Sequence, residues 1–115
     1  MGYFYNNYNE LRYPSSNGDV KGLRRAQIGA IHAIAAHYTL RNDPAIVVMP
    51  TGAGKTAVLM MAAYVLMAER VLIITPSRLV RNQIAEDFRE LSVLKKINVF
   101  GTNVKGPNVF EVQST

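Results

Sequence analysis

A glycine-containing turn between two apolar segments constrains this chain more than any other feature of its sequence. Residues 49–56 read Met-Pro-Thr-Gly-Ala-Gly-Lys-Thr, after the apolar run 45–48 and before the helix-like apolar run 57–67. Glycines let backbone N–H groups approach an anion closely. A helix that begins near Lys55 adds unpaired N–H donors and the positive end of its dipole. A strand, a glycine loop and a helix in this order predict a phosphate-binding loop.

The last two residues of the loop carry the chemistry that such a site needs. Lys55 supplies a mobile positive charge for the outer phosphates, and the hydroxyl of Thr56 can ligate magnesium. The strict pattern G-x-x-x-x-G-K-[ST] would place glycine at position 49, where Met49 stands, so Gly52 and Gly54 carry the loop. The pattern predicts binding of a nucleoside triphosphate with Mg²⁺. The alternative is a glycine turn followed by a chance Lys-Thr pair.

Composition limits the class of protein. The chain has 115 residues, of which 49% are hydrophobic, which suits one small domain. It has no apolar run long enough to cross a bilayer and no N-terminal signal peptide, and it contains no cysteine, so we expect a cytoplasmic protein without a membrane partner. The net charge of +5 permits a polyanionic partner. A solvated basic surface would give the same balance.

The apolar periodicity predicts an α/β protein with a parallel sheet. The expected helices cover residues 23–40, from about 55 to 70, and 78–91; the expected strands cover 45–49, 71–75, 97–100 and 109–112. Residues 1–22 are rich in Tyr and Asn and lack a helical period, so we expect an irregular N-terminal arm. Its tyrosines could stack on bases, but packing on the parent protein is the favoured expectation. Residues 23–115 then form the folded part.

Three segments stand in an order that resembles a known family. They are Leu-Arg-Arg-Ala-Gln at 23–27, the loop at 49–56, and Thr-Pro-Ser-Arg-Leu-Val-Arg-Asn-Gln at 75–83. Together they resemble the first RecA-like domain of superfamily 2 (DEAD/DEAH-like) helicases, and most closely the motor subunits of type I and type III restriction enzymes. The resemblance implies a P-loop NTPase with a three-layer RecA-like fold. It also implies an ATP-dependent DNA helicase or translocase that uses ATP and Mg²⁺.

The resemblance assigns roles to individual residues. Gln27 matches the glutamine that reads the adenine edge, and Arg24 matches an arginine that frames the base site. Lys55 and Thr56 are the catalytic candidates, with Thr56 holding Mg²⁺. The nucleotide-binding set is Arg24, Gln27, Thr51, Gly52, Ala53, Gly54, Lys55 and Thr56. Ser77, Arg78 and Arg81 match the segment that touches the nucleic-acid backbone, and the resemblance favours DNA over RNA.

The family's Asp-Glu-x-His/Asp segment is missing from this sequence. Hydrolysis needs an acid that holds magnesium and a residue that orients water. The only adjacent pair of acids is Glu86-Asp87, which falls within a predicted helix. We therefore expect an ATP-binding fragment of a longer motor, inactive in hydrolysis, with exposed apolar strand edges and a tendency to self-associate. The alternatives are a non-catalytic nucleotide-binding or interaction module and, less favoured, another P-loop enzyme such as a small kinase.

Overall fold

The computed structural model describes residues 2–17, 21–50 and 54–112 of the chain. Within these ranges it contains α1 (Tyr3–Asn7), a 3-10 helix (Tyr8–Glu10), α2 (Arg25–Leu40), α3 (Lys55–Val65), α4 (Arg78–Glu90) and α5 (Ser92–Lys96). Helices α2 and α3 pack against each other and form the centre of the molecule. None of the helices in the described part of the chain is long and apolar enough to cross a bilayer.

The three long helices lie where the 3.6-residue periodicity predicts them. Helix α2 contributes Ile31 and Ile34 to the core, and α3 contributes Met60 and Met61. Helix α3 ends at Val65, earlier than predicted. The cause is local: Met67 adopts a φ of 49°, and the Ala68 N–H donates to the Ala63 carbonyl at 3.2 Å. A left-handed residue with this back-bonding is a common helix end.

The predicted parallel sheet is not formed among the described residues. The residues predicted as strands lie outside regular strands, and the isolated bridge in the described part joins Ser15 and Leu23. Ile46 is 90% exposed and Ile74 is 87% exposed. A strand forms only where another strand accepts its backbone hydrogen bonds. Because the described residues offer no such partner to 45–49 or 71–75, most apolar side chains of these runs face solvent. Met49 is buried in the core, and Ile73 packs partly against it.

The strand predicted for residues 97–100 is wrong, although two of these residues are buried. Residues 97–100 follow α5 in a turn, where Asn98 has a φ of 65° and the Val99 N–H donates to the Leu94 carbonyl at 2.9 Å. Val99 and Phe100 are nevertheless fully or almost fully buried. The turn at Asn98 prevented the extended conformation that a strand requires.

The N-terminal segment is more ordered than predicted. Helix α1 places Phe4 in the core, and the Tyr3 hydroxyl lies 2.9 Å from the Tyr64 hydroxyl. The Tyr3 hydroxyl also donates to the Lys105 carbonyl. Burial raises the pKa of Tyr3. The start of the N-terminal segment is thus a helical turn in which Tyr3 and Phe4 pack against Tyr64.

Candidate nucleotide-binding site

Gly54 opens helix α3 in a conformation that favours glycine. Its φ of 81° and ψ of 48° lie in the left-handed region. A Cβ atom added to Gly54 would collide with the Gln27 side chain. Both the backbone angle and the close approach of Gln27 therefore require glycine at this position of the predicted phosphate loop.

Gln27 bridges the start of α2 to the start of α3. Its side chain is almost fully buried, with a relative exposure of 3% for the residue. The Oε1 atom accepts from the Arg24 N–H at 2.8 Å, and the Nε2 atom donates to the Gly54 carbonyl at 3.2 Å. The structure thus brings Arg24, Gln27 and Gly54 together. Gln27 lies three residues after Arg24, but Gly54 is twenty-seven residues further along the chain.

The side-chain amide of Gln27 makes two hydrogen bonds within the protein, and it is also the group expected to contact adenine. One atom accepts and the other donates, which is the pair of functions that an adenine edge also requires. An amide oxygen has two lone pairs and an amide nitrogen has two protons, so each atom keeps one hydrogen-bonding site. The role of Gln27 in reading adenine stays a prediction.

Lys55 and Thr56 form the first turn of α3. Lys55 is exposed and has no hydrogen bond or ion pair to the described residues, while Thr56 is half-buried. Among the described residues no side chain caps the N-terminus of α3, so its first N–H groups can serve other acceptors. This donor set fits the phosphates of a nucleotide with Mg²⁺ on the Thr56 hydroxyl. The predicted site residues Thr51, Gly52 and Ala53 lie outside the described residues.

Met49 occupies the position where the strict pattern has glycine. Its side chain is buried and belongs to the core cluster formed with α2 and α3. A glycine there would remove this apolar contact. The departure from the strict pattern therefore has a packing role in this chain.

The three predicted nucleic-acid contacts line one open depression. Ser77, Arg78 and Arg81 border it together with residues 72–76 and Val112. Ser77 is the N-cap of α4, and its Oγ accepts from the Val80 N–H at 3.2 Å. Arg78 is exposed. The cap fixes the direction in which α4 begins, and thereby the positions of both arginines.

Arg81 has an acidic partner that sequence reasoning missed. Its Nε lies 3.7 Å from Glu111 Oε1, and the other oxygen of Glu111 lies 3.4 Å from Arg89 Nη2. An apolar cavity of about 290 Å³ adjoins this contact, between residues 71–75, α4 and residues 107–112. The sequence offered no signal for Glu111, because a single carboxylate in a short apolar segment has no characteristic spacing.

The adjacent acids Glu86 and Asp87 lie in α4, as predicted. Glu86 is exposed and pairs with Arg89 at 3.6 Å. Asp87 is half-buried and accepts from the Ser92 hydroxyl at 3.4 Å, and burial raises its pKa. These contacts place the two acids at the C-terminal end of α4, where they serve the junction with α5.

The structure places left-handed Gly54, Lys55 and Thr56 at the start of α3, where the sequence predicts a phosphate loop. The family described as "Type III restriction enzyme, res subunit" matches residues 21–113. The chain belongs to this family, a helicase-like N-terminal domain of restriction motor subunits, and membership implies a RecA-like phosphate-loop fold. Comparisons with curated proteins and with solved structures gave no match.

Proposed function

We propose that this chain is the ATP-binding portion of an ATP-dependent DNA helicase or translocase of the restriction type. The observation that carries the proposal is the Gly54-Lys55-Thr56 start of α3, with its left-handed glycine and an N-terminus that no side chain of the described residues caps. Family membership over residues 21–113 supports a motor over a small kinase. Restriction enzymes act on DNA, and this favours DNA over RNA as the nucleic acid along which the motor moves.

Each candidate residue has a distinct task in this proposal. Lys55 neutralises the outer phosphates, and the Thr56 hydroxyl holds Mg²⁺, which supplies charge neutralisation between the phosphates when bound. Gln27 and Arg24 border the base. Ser77 and Arg78 contact the phosphodiester backbone, because hydroxyls, arginines and helix N-termini are the usual backbone donors.

The proposal predicts nucleotide binding without turnover. The sequence contains no Asp-Glu segment after a strand, and Glu86 and Asp87 are held in α4. Without an acid to hold magnesium and orient water, hydrolysis should stay at background. We expect colorimetric phosphate release from Mg-ATP to be no faster with the wild-type chain than with Lys55→Ala. Phosphate release above that baseline would show that other residues complete a catalytic site. It would contradict the proposal that this chain binds ATP without hydrolysing it.

The nucleic-acid side of the proposal predicts salt-sensitive, sequence-independent binding. Replacing Arg78 by Ala should weaken binding of a labelled single-stranded oligonucleotide several-fold at low salt. It should also lower the slope of log K against log salt by roughly 0.7, the value for one lost phosphate contact on a single strand. The loss should be equal for oligothymidine and oligoadenine, because backbone contacts read no sequence.

Arg70→Ala is the matched control for this experiment. Arg70 is exposed, carries the same charge and lies at the other end of the segment 71–75, outside the depression that Ser77 and Arg78 border. It should leave the salt slope unchanged. Equal losses in both variants would show that only net charge matters, and no binding by the wild-type chain would favour the non-catalytic module.

The partners in this proposal are nucleic acid and the remaining domains of a longer motor. The exposed side chains of Ile46, Val48, Leu72 and Ile74 lie in two runs that would be strands of a RecA-like sheet. A further strand of the same RecA-like sheet would pair with them and cover them. Self-association of the isolated chain would cover the same side chains, and would appear as a concentration-dependent melting temperature.

A further inference from the structure

We propose that Arg81 and Arg89 form a phosphate-binding pair on α4, and that the Glu111 carboxylate occupies this pair in the present structure. The inference rests on the proposed nucleic-acid binding and deepens it by adding Arg89 as a contact and Glu111 as a competitor. Glu111 Oε1 lies 3.7 Å from Arg81 Nε, and Glu111 Oε2 lies 3.4 Å from Arg89 Nη2. One carboxylate therefore engages both guanidinium groups.

The two arginines converge from different turns of the same helix. Eight residues of α-helix span about 12 Å, yet both side chains reach the same carboxylate. Planar guanidinium groups match the oxygens of phosphate as well as those of carboxylate. Arg81 also borders the depression that contains Ser77 and Arg78. A phosphate on Arg81 and Arg89 would therefore continue the line of backbone contacts proposed at the start of α4.

Glu111 is a poorly fitting occupant of this pair. Arg81 Nε, Arg81 Nη2 and Glu111 Oε1 are shielded from solvent and have no hydrogen-bond partner among the described residues. At 3.7 Å the Arg81–Glu111 contact is an ion pair that is too long for a hydrogen bond. Buried polar atoms without hydrogen bonds are costly, so a ligand whose oxygens reach these donors would be favoured over the carboxylate.

The segment that carries Glu111 is held over the arginines by long contacts. Arg81 Nη1 donates to the Val112 carbonyl and Arg89 Nη2 donates to the Val109 carbonyl, each at 3.4 Å. Both distances lie beyond the usual range for N–H···O bonds. Displacement of residues 109–112 would break these long bonds and the packing of Val109 on the core. It would free Arg81 and Arg89 from Glu111 and leave exposed Glu86 as the acidic partner of Arg89.

The test compares two substitutions that remove the same charge. Glu111→Gln keeps the side-chain shape but removes the competing charge, whereas Glu90→Gln removes an exposed carboxylate that has no ion pair among the described residues. Binding of a fluorescein-labelled oligothymidine is followed by anisotropy over a salt series. We expect Glu111→Gln to bind roughly tenfold more tightly at low salt and to steepen the salt slope by roughly 0.7 to 1.4, as one or two added phosphate contacts require. Glu90→Gln should bind like the wild-type chain.

Two further variants test the role of Arg89 and guard against an unfolded Glu111→Gln protein. Arg89→Ala in the Glu111→Gln background should return the affinity to the wild-type value. If thermal melting shows that Glu111→Gln is unfolded, Glu111→Asp replaces it, because the shorter side chain withdraws the carboxylate and should give an intermediate gain.

The outcomes separate this inference from the proposed function. Wild-type binding with no gain in Glu111→Gln, or an equal gain in Glu90→Gln, would overturn the phosphate pair and leave the nucleic-acid proposal intact. Absence of binding by every variant, with folded proteins, would overturn the nucleic-acid proposal and the phosphate pair with it.

Discussion

Replacement of Lys55 by Ala is expected to abolish the stabilisation that Mg-ATP gives to this chain. At about one hundred times Kd, a ligand that binds only the folded state adds roughly 2.7 kcal/mol to the free energy of unfolding. For a domain of this size, that corresponds to a rise in Tm of about 10 °C. Lys55 is exposed at the first position of α3, so its removal should leave the packing intact, and alanine is a better helix former.

The measurement is thermal melting by circular dichroism, with and without Mg-ATP. Lys96→Ala is the matched control, because Lys96 is an exposed lysine at the end of α5 and carries the same charge. The wild-type chain and Lys96→Ala should shift together, and Lys55→Ala should not shift. An unchanged shift in Lys55→Ala would disprove the assignment of the phosphate site. Absence of any shift in the wild-type chain would show that the site is not formed without further domains.

Local sequence signals predicted the three long helices of this chain well, but not α1, the 3-10 helix or α5. The 3.6-residue periodicity located α2, α3 and α4, and Ser77 begins α4 as an N-cap. Each of these signals depends on residues within one or two turns, so a linear pattern contains the necessary information. The order Gly54-Lys55-Thr56 is equally local, which is why the sequence predicted a helix that begins near Lys55.

Strands could not be predicted in the same way, because they depend on partners distant in the sequence. The apolar runs 45–49 and 71–75 have the composition of buried strands, but no described segment pairs with them, and Ile46 and Ile74 stay exposed. At 97–100 the same reasoning predicted a strand, whereas the structure has a turn in which Val99 and Phe100 are buried. Strand propensity mainly reports fit to neighbouring strands, so it predicts little when those neighbours are absent.

In the candidate site too, the sequence identified individual residues but not the contacts between distant segments. Gln27 was assigned through the family resemblance, and the structure places it against Gly54 through hydrogen bonds that no pattern would reveal. The pairing of Glu111 with Arg81 and Arg89 joins segments more than twenty residues apart. Such contacts depend on how α4 packs against the segment 109–112, and this packing follows from the whole fold.

Replacement of Tyr64 by Ala should cause the largest loss of stability in the chain. Tyr64 is 0% exposed, and its ring lies 5.7 Å from the ring of Tyr3, 4.8 Å from that of Phe4 and 4.9 Å from that of Phe100. These edge-on contacts join α1, α3 and the turn after α5. Removal of a buried aromatic ring costs about 3–5 kcal/mol, a large share of the roughly 5–15 kcal/mol that stabilises a typical domain.

Tyr64→Phe separates the contribution of the ring from that of the hydroxyl. It keeps the three ring contacts and removes only the 2.9 Å hydrogen bond to Tyr3, whose hydroxyl retains the Lys105 carbonyl as a partner. We expect a loss of about 1 kcal/mol in urea unfolding, as is usual for one hydrogen bond. Tyr64→Ala should also release α1 and expose the N-terminal residues to protease, since Phe4 loses the ring against which it packs. If Tyr64→Ala proved no less stable than Tyr64→Phe, the aromatic cluster would not be what fixes α1 to the core.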